Sequence, residues 1–184
     1  MSDFDSVMKL TATVGSPVLL EPDECALFYR TLTQLEAGSS ILEIGVSYGR
    51  STSLILQEAK TQGHDVDLVD PFLDEPDSLR RFIQMAGNTD ANFSLHKMTA
   101  ERWFASGRSL NIYDFIHIDG SHVYADVAAD CKRLDYLTAS GAFVLFHDYG
   151  RESLPDVKKA IDEKIGEVWE RVDLVGTLLV VRRK

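Results

Sequence analysis

Short apolar runs alternate along this chain with longer amphipathic segments, and no repeat, low-complexity tract or long linker interrupts the alternation. The pattern predicts β/α units. Strands are expected at about 40–44 (SILEI), 65–69 (DVDLV), 93–97 (FSLHK), 112–118, 142–147 (AFVLFH), 168–174 and 177–182. Helices are expected at about 22–36, 50–61, 76–86, 100–105, 123–138 and 154–166, with Pro22, Pro76 and Pro155 placed where a first helical turn tolerates proline. ILEIG and AFVLF are apolar at both alternate sets of positions, as in parallel strands covered by helices on both faces. The last two β-rich runs, VWERVDLV and TLLVVRR, are separated only by a short break around Gly176, too short for a helical crossover, so they should form an antiparallel hairpin. The expected fold is therefore α/β: a doubly wound, seven-stranded, mostly parallel sheet whose last strand is reversed. The reversal separates it from the plain dinucleotide-binding fold, whose strands all run one way.

The length of 184 residues, with 45% apolar and 26% charged positions, suits a single domain spanning 1–184. Nineteen basic against 29 acidic residues leave a net charge of -10, which disfavours nucleic acid and anionic membrane surfaces as partners. The acidic start MSDFDSVMKL lacks the basic and apolar regions of a signal peptide, and no apolar run reaches membrane-spanning length, so a cytoplasmic protein is expected. Cys25 and Cys131 stand far apart without ligand spacing and are read as free thiols.

The first strand–helix junction, ILEIGVSYGRSTSLIL, carries Gly45 and Gly49 as G-x-x-x-G. Gly45 allows a tight turn or close ligand approach, Gly49 lets the helix begin near the strand, and Ser51 can add a hydroxyl to a loop of backbone N–H donors. Ser47 holds the middle position of the dinucleotide fingerprint and would obstruct a pyrophosphate. Twenty-one residues beyond Gly49, Asp70 ends the second strand, where a carboxylate can accept from both hydroxyls of a ribose. A ligand-free turn and a turn-forming Asp before Pro71 are the plainer readings of the two features; together they favour a nucleoside.

ILEIGVSYGRS, VDLVDPF, MTAERW, DFIHIDGSHVY and GAFVLFHDY, in that order over residues 39–150, resemble the motifs of class I S-adenosylmethionine-dependent methyltransferases, whose Rossmann-like sheet also ends in a reversed strand. Within that class the chain is most similar to metal-dependent small-molecule O-methyltransferases, the catechol and sugar O-methyltransferase and cephalosporin-hydroxylase-like branch. The resemblance implies that Glu43, Gly45 and Gly49 shape the cofactor loop, Ser51 meets the methionine end and Asp70 holds the ribose. It also implies that Thr99 and Ala100 line the adenine, although Thr99 equally suits a helix N-cap.

Asp119 and Asp148 close the fourth and fifth strands beside the expected topological switch point, where two carboxylates suit Mg²⁺ or another divalent cation. The resembling enzymes carry an acid where this chain has His147, and an imidazole suits Mn²⁺, Fe²⁺ or Zn²⁺ better than Mg²⁺. The expected metal set is thus Asp119, His147 and Asp148, and Asp119 also borders the cofactor. His122, three residues after Asp119 where the resembling enzymes carry Lys or His, is the candidate general base, with helix capping or a cofactor contact as its other reading. His117 reads as a packed core residue, His64 as part of a polar loop, and His96 falls near a strand end. Most of Tyr48, Phe72, Trp103, Tyr124 and Tyr149 read as packing, with Trp103, next to the adenine motif, and Tyr149, next to the acceptor site, standing above the rest as candidate ligand contacts. Residues 1–21 and the segment after Asp70 are candidate lids over a small-molecule acceptor, and a second copy in a homodimer is another cover for the site. Rival readings are aminopropyl transfer, nicotinamide-dependent redox chemistry, and a non-catalytic scaffold that keeps the cofactor loop.

Overall fold

The computed structural model describes residues 20–73, 76–87, 90–107 and 112–184. The expected lid at 1–21 lies outside these, apart from its last two residues. The elements run α1 (Pro22–Leu32), β1 (Ser40–Ile44), α2 (Arg50–Gln62), β2 (Asp65–Val69), α3 (Pro76–Ala86), β3 (Asn92–His96), α4 (Ala100–Ala105), β4 (Tyr113–Ile118), α5 (Tyr124–Leu137), β5 (Thr138–Phe146), α6 (Pro155–Lys164), β6 (Trp169–Val175) and β7 (Leu178–Arg183). They form one seven-stranded sheet in the order β3-β2-β1-β4-β5-β7-β6. β7 is antiparallel to both β5 and β6, so the single reversed strand is the last one, as the short break at Gly176 requires. β5 begins at Thr138, directly after α5, four residues before the expected start.

Two apolar cores sandwich the sheet, because successive side chains of a strand point to opposite faces. Ile41, Phe115, Phe143 and Val180 meet Phe28 of α1 and Leu54 and Ile55 of α2 on one face. Their neighbours Leu42, Ile116, Val144 and Val181 meet Trp103 of α4, Val127 and Leu134 of α5 and Ile161 of α6 on the other. This two-sided burial is why β1, β4 and β5 read as continuous apolar runs rather than alternating ones. No helix among the described residues is long and apolar enough to cross a membrane.

β1 pairs with β2 on one side and β4 on the other, so the chain winds outward through β2 and β3 and then returns past β1. The strand order reverses there, at the carboxyl edge where an open α/β sheet carries its ligand crevice.

Candidate functional site

The loop after β1 is held by backbone geometry and one buried acid. Gly45 has φ +94°, and a Cβ there would fall 2.2 Å from the carbonyl oxygen of Asp119, so the β1 and β4 loops touch through main chain alone. Gly49 starts α2 in the left-handed region, φ +77°, beside the end of the Met85 side chain. Asp70 Oδ2 accepts from the N–H groups of Val46 (2.8 Å) and Ser47 (2.9 Å), while its Oδ1 accepts from Phe72 N (2.7 Å). The acid closing β2 therefore clamps the glycine loop as well as bordering the crevice. Glu43 lies one layer beneath: wholly buried, it accepts from Thr52 Oγ1 (2.5 Å) and sits 3.1 Å from His117 Nδ1. Its part is to tie β1 to α2 and β4, and His117 is the core residue expected.

At the ends of β4 and β5 a cluster of three acids and three bases assembles. Both Asp119 and His147 are delivered by ladder bonds, Asp119 N to Ile44 O (2.8 Å) and His147 N to Ile118 O (3.1 Å). His122 Nε2 lies 2.9 Å from Asp148 Oδ2 and 3.9 Å from Asp119 Oδ1. Arg151 Nη1 donates to Asp148 Oδ1 at 2.8 Å. His147, only 4% exposed, stands between carboxylates, with Nδ1 3.3 Å from Asp119 and 3.6 Å from Asp148 and Nε2 3.6 Å from Glu24. Asp148 itself adopts φ +58°, a left-handed conformation that costs a non-glycine residue of order 1 kcal/mol or more and that the packing around it must sustain.

Electrostatics follow from that spacing. Burial opposes charge on Asp119 and Asp148, but the facing His122 and His147, with Arg151 in the case of Asp148, hold both carboxyls below the ordinary range. Asp119 and Asp148 in turn push His122 up to about 9 against its partial burial. Burial would drive His147 towards neutrality, yet Asp119, Asp148 and Glu24 outweigh it and keep the ring protonated. Glu24 is lowered to about 2 despite its burial, by His147 and by the N–H groups of Glu21 and Thr177.

One cavity of about 1040 Å³ joins these parts. Gly45, Asp70, Thr99, Ala100, Asp119, His122, His147 and Asp148 all line it, as expected of a shared site. Thr99 also caps α4, accepting from Arg102 N at 3.3 Å, as its N-cap reading expected. Glu43, Gly49 and Ser51 do not reach the cavity wall and act through the loop's shape. Two expectations are corrected. Trp103 is fully buried against Tyr113, Phe104 and His96, and Tyr149 turns its hydroxyl to Asp162, Lys158 and Arg171, so neither ring faces the cavity. Tyr48 and Phe72 line it instead. Of the expected metal set, Asp119 and Asp148 have donor atoms that lie, with those of His122, within 4.8 Å of one another, and His147 Nδ1 lies 3.3 Å from Asp119 and 3.6 Å from Asp148. His64, read as a loop residue, is fully buried with neither ring nitrogen hydrogen-bonded among the described residues.

Sequence reasoning missed Arg151 and Glu24. Arg151 stands three residues past Asp148, a spacing that could have suggested it. Glu24 shows only a helix-start signal, accepting from Glu21 N at 2.8 Å, whereas its other oxygen reaches the β6–β7 turn at Thr177 N (2.6 Å) and Oγ1 (3.0 Å). Tyr149 N donates to Thr177 O (2.9 Å), so that turn is pinned between α1 and the loop after β5. The terminal hairpin thus buttresses the acid–imidazole cluster.

A family model described as a methyltransferase domain matches residues 42–149. No curated protein matches the sequence. Among solved structures, an O-methyltransferase from Bacillus cereus in complex with SAH superposes with a TM-score of 0.68 at 18% identity, over 100% of this chain and 91% of that one. CalS11, a TDP-rhamnose 3'-O-methyltransferase of calicheamicin biosynthesis, gives 0.67 at 14% identity over 98% and 92%. The O-methyltransferase NovP gives 0.66 at 15% identity over 86% and 78%.

Proposed function

The chain belongs to the methyltransferase domain family, and from that premise we propose that it moves a methyl group from S-adenosylmethionine to an oxygen of a small molecule. The observation that carries this reading is the single cavity that the glycine loop and Asp70 share with the Asp119, His122 and Asp148 cluster. Across the sheet order, the carboxyl ends of β3, β2, β1, β4 and β5 succeed one another in roughly 4.8 Å steps, about 19 Å in all. That length accommodates a nucleoside, an amino-acid tail and a small acceptor in line. The superposable O-methyltransferases support an oxygen acceptor.

In the reaction the acceptor oxygen forms a bond to the methyl carbon as the carbon–sulfur bond breaks, its proton passes to a base, and S-adenosylhomocysteine leaves. The sulfonium is already activated, so the protein's work is alignment and proton removal. His122 is placed to receive the proton, with Asp148 and Asp119 stabilising the imidazolium that forms. Asp70 keeps the glycine loop closed and offers its carboxylate edge to the ribose. His147 stands between Glu24 and the two aspartates at 3.3–3.6 Å and balances their charge. Two carboxylates and an imidazole fit a divalent cation of the Mn²⁺, Fe²⁺ or Zn²⁺ type. Asp119, His122 and Asp148 would hold it; His122 would then be a ligand and not the base, and the ion would itself lower the proton affinity of an acceptor hydroxyl.

Calorimetric titration with S-adenosylhomocysteine beside NAD tests the cofactor class, and methyl transfer to catechol, sugar and phenol acceptors, with EDTA or with added Mg²⁺ or Mn²⁺, tests the chemistry. Micromolar binding that excludes NAD is expected. His122→Ala and Asp148→Ala should lose turnover while retaining S-adenosylhomocysteine. Absence of nucleoside binding, or full turnover in both variants, refutes the assignment.

A further inference from the structure

One side chain in the cavity wall has hydrogen-bonding capacity that the chemistry above leaves unused. Arg151 stands in the loop between β5 and α6, which two backbone bonds fold back on itself, Arg151 N to Asp148 O (3.2 Å) and Leu154 N to Arg151 O (2.9 Å). Its Nη1 donates to Asp148 Oδ1 at 2.8 Å, the side chain of Asp148 being 4% exposed and that of Arg151 50%. A guanidinium carries five N–H donors in a rigid fork, and among the described residues only Asp148 accepts from this one, so its other donors are open to a ligand in the cavity that Arg151 lines. His122 lies 2.9 Å from the other oxygen of the same carboxylate. The guanidinium and the imidazole are therefore separated by no more than the span of that carboxylate and its two contacts. Local charge does not repel an anion there: with both rings protonated, His122, His147 and Arg151 match Asp119, Asp148 and Glu24, three against three. The cavity's remaining acids are engaged elsewhere, Asp70 by the glycine loop, Asp126 by Ser121 Oγ (2.7 Å) and Asp130 by Arg133 (3.0 Å), while Glu101 lies on α4.

A small acceptor whose hydroxyl sits at His122 reaches Arg151 with the group on its neighbouring carbon. We propose that this group is acidic, a carboxylate or a phosphate, and that Arg151 selects the acceptor by gripping it with the donors that Asp148 leaves unused; the proposal rests on the cavity being the methyl-transfer site. The fit is one of geometry as well as charge. A hydroxyl and an acidic group on adjacent carbons span about as many atoms as the Asp148 carboxylate does between its two partners, and the planar fork of arginine matches two oxygens of either anion. A neutral acceptor leaves those donors to water and gains nothing from the charge.

The test is calorimetry on protein saturated with S-adenosylhomocysteine, in EDTA so that no metal ion holds the ligand, with two matched pairs: salicylate against salicylamide for the carboxylate, and 2-hydroxyphenyl phosphate against catechol for the phosphate. Wild-type protein should bind at least one anionic member tenfold or more tightly than its neutral partner, and the pair that shows it identifies the acid. Arg151→Gln should reduce that preference at least fivefold, and Arg151→Lys, which keeps the charge and loses the fork, should fall between. A residue that only positions Asp148 would move both members of a pair together and leave their ratio unchanged. No preference for either anion in wild type, or a ratio unchanged within twofold in Arg151→Gln, overturns the proposal. So does a fall in S-adenosylhomocysteine affinity in that variant as large as the fall for the anion, which would assign the arginine to the cofactor's own carboxylate. The wild-type comparison needs no variant to fold. Failure of wild type to bind S-adenosylhomocysteine is a separate result, which removes the cofactor reading and this proposal with it.

Discussion

Substituting Gly45 by alanine probes the contact on which the crevice is built, and Gly38 supplies a matched control. Both glycines have positive φ, +94° and +80°, so an alanine at either position meets comparable backbone strain of about 1–2 kcal/mol. At Gly38 a Cβ would find no atom within 4 Å. At Gly45 it would lie 2.2 Å from the carbonyl oxygen and 2.5 Å from the carbonyl carbon of Asp119, where real Cβ contacts stay beyond 3.0 Å. The loops of β1 and β4 must therefore part by about 0.8 Å against the 2.8 Å bond from Asp119 N to Ile44 O. Overpacking of that kind adds about 1–3 kcal/mol to the strain. A chain of this size loses roughly 2–4 °C in melting temperature per kcal/mol. Gly38→Ala should thus melt about 2–8 °C below wild type, and Gly45→Ala at least about 2 °C lower again. The displaced Asp119 and loop N–H groups should also reduce S-adenosylhomocysteine affinity tenfold or more in Gly45→Ala, with Gly38→Ala binding as wild type. Thermal unfolding and calorimetry on both variants decide the matter: equal melting temperatures together with wild-type affinity in Gly45→Ala would refute the close-approach argument.

Three further expectations follow from individual side chains. Asp70→Ala removes the acceptor of three backbone N–H groups, so it should lower both melting temperature and S-adenosylhomocysteine affinity, the latter by tenfold or more, whereas an undiminished affinity would show that Asp70 serves the loop alone. Because His122 is raised to about 9, about 1% of it is neutral at pH 7. Turnover of EDTA-treated protein should climb close to tenfold per pH unit from neutrality toward 9, and a flat pH–rate profile there would exclude His122 as the base. His64 is buried without ring partners and its pKa is lowered by that burial, so its neutral form is the native one. Its contribution is complete above the unfolded value near 6.5 and is lost as the pH falls below it toward the lowered native value. His64→Leu should flatten the decline of melting temperature with acid over that range; an unchanged slope would place the sensitivity elsewhere.

The elements and the strand-end acids were legible in one dimension because their causes are local. Periodicity of two or 3.6 reports which faces are covered, and a glycine or acid directly after an apolar run falls at a strand's carboxyl end whatever the neighbouring strand is. Gly45, Asp70, Asp119 and Asp148 were singled out in that way and His122 by its spacing from Asp119 in the family resemblance, and the reversed β7 was legible from the brevity of the turn at Gly176. Side-chain direction was not legible. Trp103 and Tyr149 sit beside ligand loops in sequence, yet Trp103 projects into the core with Tyr113 and Tyr149 turns to α6, because their orientation depends on what packs behind the loop. Nor could any local pattern join Glu24 to His147 and Thr177, more than a hundred residues away, or reveal that His147 stands between Glu24 and Asp119 while His122 closes on Asp148. By itself the sequence determined a doubly wound sheet and which residues stand at its carboxyl edge. Only the tertiary structure decided the partners of those residues, and with them their charges, because ionisation and hydrogen bonding depend on distances between strands that adjoin in space and lie far apart along the chain.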